Sequence, residues 1–525
     1  MENEASYPPE FKNFLAAFTA LSSKDKNLNH GNDKVMSSAL WYEKFRRALE
    51  YQEDHLIFKN AVTRIARRYY ALSFSIGTEA LFDGLMSELA WADYVNLDGL
   101  TDEEVAKIKS ILERYLFLIR HAKTKSLDSE LQKTIFSWMA SEIDELLFCR
   151  KRQELLIDFA YHCLKDNIKF ISGHINHKEV EIQLKLAIFS LVYKPDYSYA
   201  QFWLIKKIFP EFENFNQEKA REIGLHYDNI LLQIEKVFKN PHAKDYMSYA
   251  KRHIAPFILI SNLPHYQKNL TSLEHDPEKL KNWLMDIYDN LLFQTKEKVW
   301  RGTIRALIFI FFTKISLAFL IEMPFDQLLK GSISYIPLVI NICLPPVLMF
   351  FAGISMKVPP PKNRLIVTKA ISNLLIYEKI DEKPFYVGFR KRSVLDIIFN
   401  ILYFIFNLAI VFGVIVLLRK IDFNFVSIAL FFFFVSAVSF FSFRIRNIAL
   451  ELLMQTNRDN FFVSIIEFVF LPFILIGKYL SAVITKSNPF TITLDFLIEA
   501  PLKTILKIAN SWMRFIRQKK DDLDL

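Results

Sequence analysis

Between Gly302 and Phe443 the chain carries four apolar runs, about 302–321, 333–355, 394–418 and 423–443, each near the ~20 residues that a bilayer core demands of a helix. The last, "NFVSIALFFFFVSAVSFFSF", contains no charged residue. Hydrocarbon leaves no backbone polar group a partner outside its own segment, so runs of this kind must be helices. A fifth run, "FFVSIIEFVFLPFILIGKYLSAVI" (461–484), is as long but carries Glu467, Pro472 and Lys478. Its proline predicts a bend, and the segment is expected to be re-entrant or to form a fifth span.

Charge divides the chain at the same place. Residues 1–300 hold 40 Lys+Arg and 42 Asp+Glu, whereas residues 301–525 hold 26 and 15. The positive excess therefore sits beside the apolar runs, where membrane topology uses it. The soluble half lacks the basic face that nucleic-acid binding requires. Segments 296–305, 356–393 and 444–460 together hold 16 Lys+Arg, against 3 in 322–332 and 419–422. That asymmetry assigns the N-terminus and the basic loops to the cytosol. The expectation is an integral membrane protein, in the plasma or inner membrane if prokaryotic.

Residues 1–275 read as a helical cytosolic domain. "TDEEVAKIKSILERYLFLIRHAK" opens with a Thr101-x-x-Glu104 capping box and continues with apolar residues at helical spacing. Of the 12 glycines, no two lie closer than Gly77 and Gly84. Glycine-rich nucleotide loops, the hydrolase nucleophile elbow and the GxxxG dimer motif are thereby excluded. The 3 cysteines form no CxxC pair. His174 and His177 have metal-like spacing, but in a polar loop without a third ligand nearby in sequence. No catalytic, cofactor or metal residue is assigned, and an enzyme is not favoured. "SEIDELLF" (141–148) and "RIARRYY" (64–70) read as solvated helix faces.

From Asp276, an N-cap with Pro277 following, one helix of about 45 residues, roughly 70 Å long, is predicted. It covers 276–301 and continues into the first span, with a kink expected at Gly302. Lys314 then stands ~18 Å into hydrocarbon, where a lysine costs about 2.5–3.5 kcal/mol and needs a partner, water or a bundle interior. Glu467 is its expected partner, and Glu322 is expected to mark the outer interface. Near the C-terminus, residues 493–520 predict a basic amphipathic helix. Lys503, Lys507, Arg514 and Arg517 line one face and Trp512 the other, as for a helix lying on an anionic cytosolic leaflet.

The fold class is all-α: a cytosolic multi-helix domain followed by a polytopic α-helical membrane domain (302–485) of four spans plus a re-entrant or fifth span. Two functions fit. The favoured one is a non-catalytic scaffold or adaptor coupling a cytosolic protein partner to the bilayer, because the soluble half is far larger than an anchor needs. The other is a small-solute or ion transporter or channel using Lys314 and Glu467. An oligomer is compatible with either.

Overall fold

The computed structural model describes residues 7–22, 56–72, 77–92, 94–121, 128–148, 150–170, 177–212, 215–266, 276–331, 335–355, 359–377, 384–387, 394–454 and 461–486. They form two compact units, one drawn from residues up to 280 together with 372–388, the other from 281–371 and 389–492.

The N-terminal unit begins with α1 (Pro9–Ser22), α2 (Ile57–Leu72), α3 (Thr78–Trp91), α4 (Asp102–His121), α5 (Asp128–Leu147) and α6 (Lys151–Lys165). It continues with α7 (His177–Val192), α8 (Tyr197–Ile208), α9 (Gln217–Leu225), α10 (Tyr227–Phe238), α11 (Ala243–His253) and α12 (Ala255–Tyr266). The capping box closes reciprocally: Thr101 N donates to Glu104 at 2.8 Å and Glu104 N to Thr101 Oγ1 at 3.3 Å. Aromatic side chains fill the interior, with Trp138, Tyr115, Tyr227 and Tyr249 fully buried. Phe14 stacks on Phe159 at 4.3 Å, fastening α1 to α6.

This unit also contains a strand pair that the sequence pattern did not announce, since three residues are too few to show alternation. Strand β1 (Ile168–Phe170) runs parallel to β2 (Phe385–Val387), with Ile168 opposite Phe385. The β2 residues come from between the second and third apolar runs. Phe385 N donates to Asn167 O at 2.7 Å, and the Phe385 ring lies 5.0 Å from that of Tyr249. Val387 is buried.

The remaining helices are α13 (Pro277–Leu317), α14 (Met323–Lys330), α15 (Tyr335–Ser355), α16 (Pro361–Tyr377), α17 (Val394–Lys420), α18 (Phe425–Ala449) and α19 (Phe461–Lys486). Asp276 caps α13, accepting from Lys279 N at 2.9 Å. The helix continues through Gly302. An interior glycine costs stability without breaking the hydrogen-bond ladder, and the helix runs on to a π segment at Ala318–Glu322. Among the described residues, four helices are long and apolar enough to cross a membrane: Pro277–Leu328, Tyr335–Ile354, Ile397–Lys420 and Phe425–Ala449.

Helix α19 continues through Pro472, with helical backbone on both sides of it. It packs closely on α18. A Cβ on Gly477 would stand 2.3 Å from Ser436 O, and Phe473 stacks on Phe432 at 5.8 Å. Neighbouring helices of this kind carry an apolar helix through a proline. Helix α16 buries Val367 and Ile371 fully. At its start Asn363 donates to Tyr288 Oη (3.0 Å) and Leu452 O (2.9 Å) and accepts from Met454 N (3.0 Å). The basic segment with Lys503, Lys507, Trp512, Arg514 and Arg517 lies outside the described residues, as does His174.

Candidate functional site: a buried polar clamp

Lys314 donates from Nζ to Glu322 Oε1 at 2.6 Å, and the two residues are 0% and 1% exposed. The π segment makes this pair possible. An α-helix turns ~100° per residue, so residues eight apart would diverge by ~80° and face different neighbours. A π turn takes up one extra residue, so the eight behave rotationally like seven, within ~20° of two full turns. Pro324 supplies a local cause, because its ring excludes the carbonyl four residues earlier and it donates no N–H.

Asn341 on α15 joins the pair to α18. Its Nδ2 donates to Glu322 Oε1 at 2.8 Å and to Ser427 O at 3.2 Å. Ser427 N donates in turn to the capping Asn424 Oδ1 at 2.6 Å, and Asn424 Nδ2 donates to Asp326 Oδ1 at 2.7 Å. The Lys314 ammonium also sits 4.7 Å from the ring centre of Phe434, a favourable contact once desolvated. Among the described residues, Glu322 Oε2 and Asn341 Oδ1 have no hydrogen-bond partner.

Glu322 is therefore the buried counter-ion of Lys314. The Glu467 side chain lies outside the described residues, and only its backbone, on α19, is placed. Asn341, Asn424 and Asp326 were not singled out from sequence. A signal existed, because amides and carboxylates in or beside spanning runs are the usual glue between helices. Chemically, the arrangement neutralises two charges against each other and ties α13, α14, α15 and α18 together.

A second charged cluster lies in the N-terminal unit, where "SEIDELLF" is internal instead of solvated. Arg150 grips Asp144 with two bonds, 2.9 and 3.1 Å. Lys206 reaches Glu145 at 2.7 Å and Arg114 reaches Glu142 at 2.6 Å, while Lys59 pairs with Asp196. Burial pushes Glu145 up to about 7 despite the opposing pull of Lys206. Burial likewise raises Asp144 against Arg150 and lowers Lys59 against Asp196. "RIARRYY" contributes Arg68, which pairs with Glu88. Among the described residues no group of three His, Cys, Asp or Glu side chains is placed to hold a metal ion.

No protein-family model, curated protein or solved structure matches the chain. Fold and site define it as a helical protein with four helices of membrane-crossing length and apolarity, held by an internal ion pair.

Proposed function

We propose that the chain is a multi-pass membrane protein whose N-terminal helical unit lies in the cytosol and acts as a non-catalytic adaptor, coupling a protein partner to the bilayer. The observation that carries this reading is the β1–β2 pair, which builds residues 385–387 into the N-terminal unit. A chain that crosses through α13 and returns through α15 comes back to the side it left, so both strands share a side. Asn363, bonded to Leu452 and Met454, supports the same statement for α17 and α18. The side so defined carries the 16 Lys+Arg against the opposite side's 3, which under the positive-inside rule is the cytosol. The chain passes between the units at 280/281, 371/372 and 388/389, more connections than a tether needs.

The apolar helices leave Phe309, Phe404 and Phe412 at 70%, 68% and 67% exposure. Water does not tolerate so extensive an apolar surface, whereas lipid does. Helix α19, with 26 residues, is ~39 Å long and packs along α18 through Gly477 and Ser436; this length and packing support reading it as a fifth crossing. The reading of Lys314 and Glu467 as a transport path finds no support in a lysine closed against Glu322.

The adaptor reading is tested by placing a photo-crosslinking residue at Leu72, Leu225 or Leu232, which are 73%, 51% and 56% exposed. Illumination in native membranes is expected to yield a discrete protein adduct from at least one position. Failure of all three to give a reproducible adduct sinks the reading.

A further inference from the structure

The N-terminal unit contains a cleft of about 710 Å³ between α4, the C-terminal end of α5, α6 and α8. Sites for small organic molecules typically measure ~300–1,000 Å³ and combine apolar walls with a few convergent polar groups. Here the apolar wall is aromatic: Phe202, Trp203, Phe212 and Phe215. The polar groups are the ion pairs already described, Arg114–Glu142 and Lys206–Glu145.

These pairs leave hydrogen-bonding capacity over. Among the described residues, Arg114 Nη1 and Trp203 Nε1 are donors with no hydrogen-bond partner. Arg114 is 8% exposed and Trp203 is 3% exposed, and both line the cleft. A buried donor left unmet carries an uncompensated desolvation cost, which a ligand bringing an acceptor oxygen would recover. The guanidinium of Arg114 also lies 4.9 Å from the Phe215 ring centre, which holds its plane against an aromatic wall.

We propose that this cleft binds a small organic anion, a carboxylate on a flat aromatic body, with Arg114 and Trp203 donating to the carboxylate and the phenylalanines covering the ring. Charge favours an anion over a cation: five Lys and Arg line the cleft against four Glu. Glu145, pushed up to about 7 by burial, loses part of its charge near neutrality and leaves Lys206 less compensated. The proposal goes beyond the adaptor reading and stands whether or not the unit has a protein partner.

Equilibrium dialysis of the full-length protein in detergent micelles tests it with three probes of one shape: naphthalene-2-carboxylate, naphthalene-2-carboxamide and 2-naphthylmethylamine. The carboxylate is expected to bind saturably and at least about tenfold more tightly than the amide, with the amine weakest. Trp203→Phe keeps the ring and removes the donor, and is expected to weaken carboxylate binding about fivefold without altering the thermal midpoint. Arg114→Lys keeps the charge but loses the forked donor, and should weaken the carboxylate more than the amide. Absence of saturable carboxylate binding overturns the proposal. Equal binding of all three probes, or carboxylate binding unchanged in both variants, overturns it as well. The three-probe comparison on the unaltered protein keeps the test decisive if a variant does not fold.

Discussion

Lys314 and Glu322 are both buried and lie in contact, so their stabilising value depends on each having the other. Removing one charge of a buried pair strands its partner and costs ~3–5 kcal/mol, whereas replacing both with apolar groups of similar size is often neutral. Lys314→Met is therefore expected to lose stability on that scale, and Lys314→Met/Glu322→Met to recover most of it. Chemical unfolding of the full chain in micelles measures both; additive losses would show that the two groups do not depend on each other. Glu145 works in the opposite sense. It is an acid whose folded value is raised from 4.5 to about 7 by burial, with Lys206 opposing and Glu154 and Glu142 reinforcing. The folded state then holds more protons than the unfolded one across that window, so stability falls as pH rises through it. Below about 4.5 the penalty is absent, and above about 7 it is complete, on the order of 3 kcal/mol. Thermal midpoints recorded across this range should fall with pH, and Glu145→Gln should flatten the fall.

Helix periodicity is the element-scale property on which the clamp depends. The π segment rotates Glu322 onto the face of Lys314, and its residue Leu320 is 74% exposed, so that side chain contributes little packing. Inserting one alanine after Leu320 adds a residue that the π turn does not absorb, and is expected to turn Glu322 ~100° away from Lys314. Stability should then drop about as far as in Lys314→Met, by ~3–5 kcal/mol, because the same buried charges are separated. The same unfolding assay checks it, and an insertion variant as stable as the parent would show that the pair does not depend on this phase. Pattern reading placed this helix, its Asp276 cap and its apolar second half, all of which are local matters. It missed the π turn, which depends on Pro324 and on Asn341, a residue of another helix that accommodates Glu322. It also read "SEIDELLF" as solvated, because a carboxylate-rich face looks the same in sequence whether water or arginine covers it.

Taken as a whole molecule, the chain has its sides defined by which segments meet. The β1–β2 pair and the Asn363 bonds each tie together stretches separated by two apolar helices. On the five-crossing reading proposed for α19, position 487 is expected on the non-cytosolic side. A single cysteine at Ser487, in a background without the native cysteines, is expected to react with an impermeant reagent only from the non-cytosolic side. Labelling from the cytosolic side would return α19 to a re-entrant course and leave four crossings. It would also put Lys503, Lys507, Trp512, Arg514 and Arg517 on the cytosolic leaflet.

By itself the sequence determined the features that a stretch of chain decides alone. Apolar runs of bilayer length dictate helices, Thr101 with Glu104 and Asp276 set helix starts, and the charge asymmetry separates the chain into halves. Only the tertiary structure decided what covers each face: Glu322 against Lys314, Arg150 against Asp144, Phe385 beside Ile168. Periodicity tells which side of a helix is apolar or charged. Which group desolvates that side, and so whether a charge there is paired, is set by segments distant along the chain.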